Sequence, residues 1–159
     1  MKNNKGSQIS NAPSLLLPEF SRQIDIKKIS NLPISITFTA TEKEKEALAK
    51  RLDLVSMKSF TVQGKIEGKL GDSPLKVSVR LKAEVMQSCV VSLKELPDQI
   101  DEMVKLSLFP FNVSPDMLND TFDDDEPEAL VLNKDGTIEV GEVFVQYLSL
   151  ALDPYPKFE

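Results

Sequence analysis

FTVQGKIEGKLGDSPLKVSVRLKAEV, running from Phe60 to Val85, is the stretch on which the fold turns. Phe60, Val62, Ile66 and Leu70 share one parity, with Gly64 and Gly68 filling the series; Leu75, Val77, Val79, Leu81, Ala83 and Val85 share one parity beyond them. Gly71-Asp72-Ser73-Pro74 separates the two runs as a turn signal. Period-two alternation over runs this long predicts an antiparallel hairpin with one face on a core. Setting Leu70 opposite Leu75 matches every apolar position with an apolar residue or a glycine, placing Gly68 opposite Val77 and Gly64 opposite Leu81. A one-residue slip would send the apolar rows to opposite faces, so this register is the expectation. Glycines facing large side chains also imply the close approach of another element.

Other elements extend outward from this hairpin. Ile34, Ile36, Phe38 and Ala40 alternate with Ser35, Thr37 and Thr39, a half-buried strand that follows a turn at Asn31-Leu32-Pro33. A weaker alternation, Phe20, Ile24 and Ile26 with Arg22 breaking it, predicts a strand before that turn. Thr41-Glu42-Lys43-Glu44 has the form of a capping box, opening a helix whose apolar stripe is Ala47, Leu48, Leu52 and Val55. Past Cys89 the chain turns through Leu93 to Pro97, and Ile100, Glu102, Val104, Leu106 and Leu108 predict a strand ending before Pro110, with Met103 and Phe109 on its other face. Asp135-Gly136 leads into a short strand around Ile138 and Val140. A final helix from about Gly141 shows one polar stripe, Glu142, Gln146, Ser149 and Asp153, and reads as largely buried. The expected fold is therefore α+β: a mainly antiparallel sheet of five or six strands covered on its apolar face by two helices. Residues 1–18 read as a flexible lead-in and 19–159 as a single domain.

Several function classes are disfavoured by residue inventory. The chain contains no histidine, so the commonest general base, proton shuttle and metal ligand is missing. Cys89 is the single cysteine; it provides no internal disulfide framework, and without histidine it lacks the usual route to a catalytic thiolate. At the end of an apolar strand it reads as a small buried hydrophobe in a tight turn. The six glycines are scattered and form no phosphate-cradling loop. No catalytic residue, metal or cofactor is expected. No apolar run approaches the ~18 residues that cross a bilayer, and Leu15-Leu16-Leu17 is too short for a signal-peptide core. A cytoplasmic protein without membrane contact is the expectation.

The net charge is −6, but residues 112–135 hold eight acids against Lys134 alone and so carry −7, leaving +1 for the remainder. This stretch, with Asp120, Asp123, Asp124, Asp125, Glu126 and Glu128 at its centre, has no periodicity and reads as a long acidic loop. It lacks the alternating spacing and mid-loop glycine of a calcium site. A solvated insertion is one reading; a lure for a basic protein, or a competitor for the chain's own basic face, is the other.

That basic face is the outer side of the hairpin. In the register above, Lys69 stands opposite Lys76 and Lys65 opposite Arg80, with Lys82 opposite Gln63. Like charges directly opposed across strands are destabilising, so such pairs imply a face shaped by an external anion, for which phosphate backbone is the natural candidate. Glu67 and Glu84 on the same face support the plainer reading of a solvated surface. No aromatic side chain lies there for base stacking.

Glu19-Phe20-Ser21-Arg22, the helix start Thr41-Glu42, Gln87-Ser88-Cys89-Val90-Val91-Ser92-Leu93, the acidic stretch, and the ending Leu150-Ala151-Leu152-Asp153-Pro154-Tyr155-Pro156-Lys157 occur here in one order. In these motifs the chain resembles the YceD family of bacteria and plastids, and within it the alphaproteobacterial branch. The resemblance implies a non-catalytic ribosome-assembly factor supporting accumulation of large-subunit ribosomal RNA, with that RNA or a pre-ribosomal particle as partner. Many family members carry a second cysteine three positions after the first; this chain has Ser92 there, so no role for such a pair carries over. The alternative is an adaptor that holds a basic ribosomal protein through the acidic loop.

Overall fold

The computed structural model describes residues 19–69, 74–114 and 128–152. In chain order its elements are strand β1 (Gln23–Asp25), a 3-10 turn (Ile26–Lys28), β2 (Ile34–Thr39), helix α1 (Glu42–Arg51), β3 (Ser56–Glu67), β4 (Leu75–Ser88), β5 (Glu95–Phe109), β6 (Glu128–Val131), β7 (Thr137–Glu139) and helix α2 (Gly141–Ala151). A five-stranded sheet runs β2-β3-β4-β5-β6, antiparallel except for the parallel β5–β6 pair, and β1 pairs with β7 in a separate two-stranded sheet. The fold is α+β, as expected.

The alternating rows do what period two requires. Phe60, Val62 and Ile66 of β3, Val77, Val79 and Leu81 of β4, and Val104, Leu106 and Leu108 of β5 are buried on one face. Leu48 of α1 and Phe144, Val145 and Leu148 of α2 join them in a single core. The Phe20 ring packs at 5.0 Å from that of Phe60, closing the core beside α1. The capping box forms: Thr41 Oγ1 accepts from the Glu44 N–H at 3.2 Å, and the Glu44 carboxylate accepts from the Thr41 N–H at 2.8 Å. Helix α2 is less buried than its composition implies. It meets the sheet on one side only, leaving Leu150 82% exposed.

The hairpin register differs from expectation by two residues. Gly64 faces Val79, Ile66 faces Val77 and Glu67 faces Lys76. A two-residue shift preserves side-chain parity, so hydrophobic alternation alone does not choose between these registers. Charge separates them: the observed one sets Glu67 against Lys76, where the expected one opposed Lys69 to Lys76. Gly68, at φ +129°, leaves the ladder in a conformation glycine adopts without steric cost, and β3 ends at Glu67. The close approach expected over Gly64 exists, but the approaching element is the neighbouring strand. A Cβ at Gly64 would lie 2.0 Å from the Ser78 carbonyl oxygen and 2.5 Å from Val79 Cα. The proposed turn, Gly71 to Ser73, and Leu70 lie outside the described residues.

Two further corrections bear on the site. Strand β5 begins at Glu95, so the β4–β5 hairpin is the longer one, with pairing from Leu75–Leu108 to Ser88–Glu95. Residues 128–131, read as part of an aperiodic acidic loop, form β6 beside the end of β5. Here backbone pairing and the burial of neighbouring Leu132 outweigh local composition.

Candidate nucleic-acid interface

The outer face of the sheet is built from transverse rows that cross its strands. One row is Glu67, Lys76 and Ser107, the serine buried; the next is Ser35, Lys65, Ser78 and Lys105. Then come Thr37, Gln63, Arg80 and Met103, and after them Thr39, Thr61, Lys82 and Asp101. These four rows hold five basic side chains and two acids, separated by small hydroxyl residues. Lys65, Lys76, Arg80, Lys82 and Lys105 are all exposed. Adjacent strands lie about 4.8 Å apart, so Lys65 and Lys105 straddle Ser78 at roughly 10 Å between backbones. Met103, 55% exposed, is the large apolar side chain within these four rows.

Of the sequence-predicted cations, the fold brings Lys65, Lys76, Arg80 and Lys82 together on this face. Lys69 lies past the end of β3, off the ladder. The like-charge pairs expected at Lys69–Lys76 and Lys65–Arg80 are not formed, because Lys65 faces Ser78 and Arg80 faces Gln63. Lys65 instead lies 3.5 Å from Glu67, and Arg80 lies 3.4 Å from Asp101. Both pairs are more than 40% exposed and so worth little to stability. Lys105 escaped the sequence reading. Its parity with Asp101 and Met103 marks it as outward-facing, a signal available once β5 is known to pair with β4.

Among the predicted acidic residues, Asp120, Asp123, Asp124, Asp125 and Glu126 lie outside the described residues. Glu128 sits in β6 and accepts a 2.6 Å hydrogen bond from the Tyr147 hydroxyl. Partial burial of that phenol, reinforced by the carboxylate, pushes its pKa up to about 12.

The Glu19-Phe20-Ser21-Arg22 segment is a clamp on the core. The Arg22 guanidinium stands 4.3 Å over the Phe20 ring and donates to both carboxylate oxygens of Glu44, at 2.7 and 2.8 Å. That contact holds the Glu44 carboxyl below the usual carboxylate range. Arg51 bridges Glu19 at 3.0 Å and grips Glu142 with two nitrogens, tying the segment at Glu19 to both helices. Its guanidinium likewise lowers the Glu142 carboxyl. Cys89, buried, closes the β4–β5 turn: its N–H donates to the Lys94 carbonyl at 2.7 Å, and its carbonyl accepts from the Leu93 N–H at 2.8 Å. A cleft of about 620 Å³ beside this turn includes Arg51, Asp53 and Cys89 in its lining.

Among the described residues, no group of three or more acids or cysteines is placed to hold a metal ion, and no helix is long and apolar enough to cross a membrane. Comparisons with protein-family models, with curated proteins and with solved structures gave no match.

Proposed function

We propose that this chain is a non-catalytic assembly factor for the large ribosomal subunit, contacting ribosomal RNA through the open face of its sheet. One observation carries the contact. Lys65, Lys76, Arg80, Lys82 and Lys105 converge on a single exposed surface in a chain whose net charge is −6. A concentration of cations of this kind on an acidic protein favours a polyanionic partner at that face. Serine and threonine hydroxyls between the cations add donors suited to phosphate oxygens. With no aromatic residue in the rows, contact is with the RNA backbone, and sequence is not read by stacking. The ribosomal assignment rests on the ordered likeness to the YceD family in the segments around Phe20, Thr41, Cys89 and Leu150.

Ultraviolet crosslinking of the tagged protein in growing cells, followed by sequencing of the attached RNA, tests both parts. Enrichment of defined large-subunit segments, lost on changing Lys65 and Lys105 to glutamate, is the expected result. Recovery of unrelated RNA would remove the ribosomal assignment. Absence of RNA would remove the interface.

A further inference from the structure

One edge of strand β5 is left without a partner strand by the described residues. Among the described residues β6 pairs only with Leu106–Phe109, and on the side away from β4 no strand lies beside Glu95–Lys105. The direction of its backbone groups follows from the antiparallel pattern. Cys89 donates to Lys94 across the turn, so the hydrogen-bonded pairs with β4 recur at every second residue from there, at the even positions of β5. Pro97, which has no N–H, falls at an odd position, and the Phe109 carbonyl accepts from Leu132 on the far side, as this alternation requires. Gln99, Asp101 and Met103 therefore present their N–H and C=O groups to that edge, and Lys105 its N–H, its carbonyl facing the start of β6.

From Glu95 to Glu102 the charged side chains along that edge share one sign. Glu95, Asp98, Asp101 and Glu102 fall within eight residues, with Lys105 beyond them. Asp98 and Glu102 occupy the helix-side parity, opposite Val85 and Leu81, where an apolar residue would extend the core; Glu102 is exposed, and Asp98 is half-buried, accepting from Gln87 Nε2 at 3.2 Å through one carboxylate oxygen. Inward-pointing charges are a known protection of sheet edges. Because these charges are all negative, the protection is selective: a second acidic edge is repelled from both faces, while a basic strand finds a partner on each.

We propose that the Glu95–Lys105 edge accepts an extended lysine- or arginine-rich segment of a protein partner as an added antiparallel strand. Main-chain hydrogen bonds to Gln99, Asp101, Met103 and Lys105 supply affinity, and the carboxylates of Asp98 and Glu102 supply selectivity. The proposal does not depend on RNA contact at the neighbouring face, and each stands or falls alone.

The test uses the full chain and a fluorescent ten-residue peptide alternating lysine and threonine, followed by anisotropy. Asp98→Asn/Glu102→Gln is expected to weaken binding about two- to thirtyfold, the range for two cross-strand charge pairs. N-methylation of alternate peptide amides is expected to weaken it at least as much. Hydrogen exchange at the Gln99, Asp101, Met103 and Lys105 amides is expected to slow on adding peptide. Equal affinity for the N-methylated peptide would overturn the proposal in favour of diffuse charge attraction. Sedimentation as a dimer with those amides already protected would assign the edge to a second copy and overturn it equally, as would no binding.

Discussion

Neutralising Lys65 and Lys105 together gives the sharpest test of the outer face. The two side chains flank Ser78 in one transverse row, and removing their charge leaves the ladder and core untouched. Each cation that neutralises a phosphate on single-stranded RNA releases a counterion, contributing about −0.7 to the slope of log affinity against log salt. Five contacts give a slope of about −3.5, a loss of ~130-fold between 50 and 200 mM salt. Lys65→Gln/Lys105→Gln should lower this to about −2.1, a loss of ~20-fold over the same interval. Lys65 shares its charge with Glu67 at 3.5 Å, so Glu67→Gln should strengthen binding. The assay is filter binding or anisotropy with a large-subunit RNA fragment across that salt series, with Glu46→Gln on the helix side as a control. An unchanged slope in the double variant would refute the assignment of phosphate contacts to this face, whatever the absolute affinity.

Two predictions concern the frame that holds the face. Gly64→Ala places a methyl group 2.0 Å from the Ser78 carbonyl oxygen, and backbone atoms yield poorly. The cost should be about 3 kcal/mol, at the upper end for overpacking, and calorimetry should show Tm lower by roughly 6–12 °C; a change under a degree would refute the close β3–β4 approach. Glu44→Gln should cost about 1–2 kcal/mol at neutral pH, since it removes the charge that Arg22 grips. The Glu44 and Glu142 carboxyls titrate below their unfolded value of about 4.3. Their stabilisation is therefore present above that pH and lost as pH falls through the folded pKa values. Denaturant midpoints measured from pH 6 to pH 2.5 should fall less steeply in Glu44→Gln than in the parent chain.

Much of the fold is legible because strand and helix periods are local. The inner rows of β3 and β4 and the Thr41 capping box each follow from residues a few positions apart. The outer cations were legible as a face for the same reason, since parity survives any even shift of register. Their partners were not. Whether Lys76 meets Lys69 or Glu67 depends on a two-residue choice to which the hydrophobic pattern is blind. Lys105 joined the face only through β4–β5 pairing.

Composition also misled where a long-range partner decided the outcome. Glu128-Ala129-Leu130-Val131 follows an acidic run, yet it becomes a strand because the end of β5 supplies a hydrogen-bonding edge. The segment around Arg22 reads as a strand with a charge breaking it. Its purpose is visible only when Glu44, Phe20 and Thr39, distant or adjacent in sequence, gather around one guanidinium. The sequence by itself determined which residues face the core and which face solvent, because alternation is a property of neighbouring residues. Tertiary structure alone decided which charges meet and which strands pair, because those are set by contacts between residues far apart in the chain.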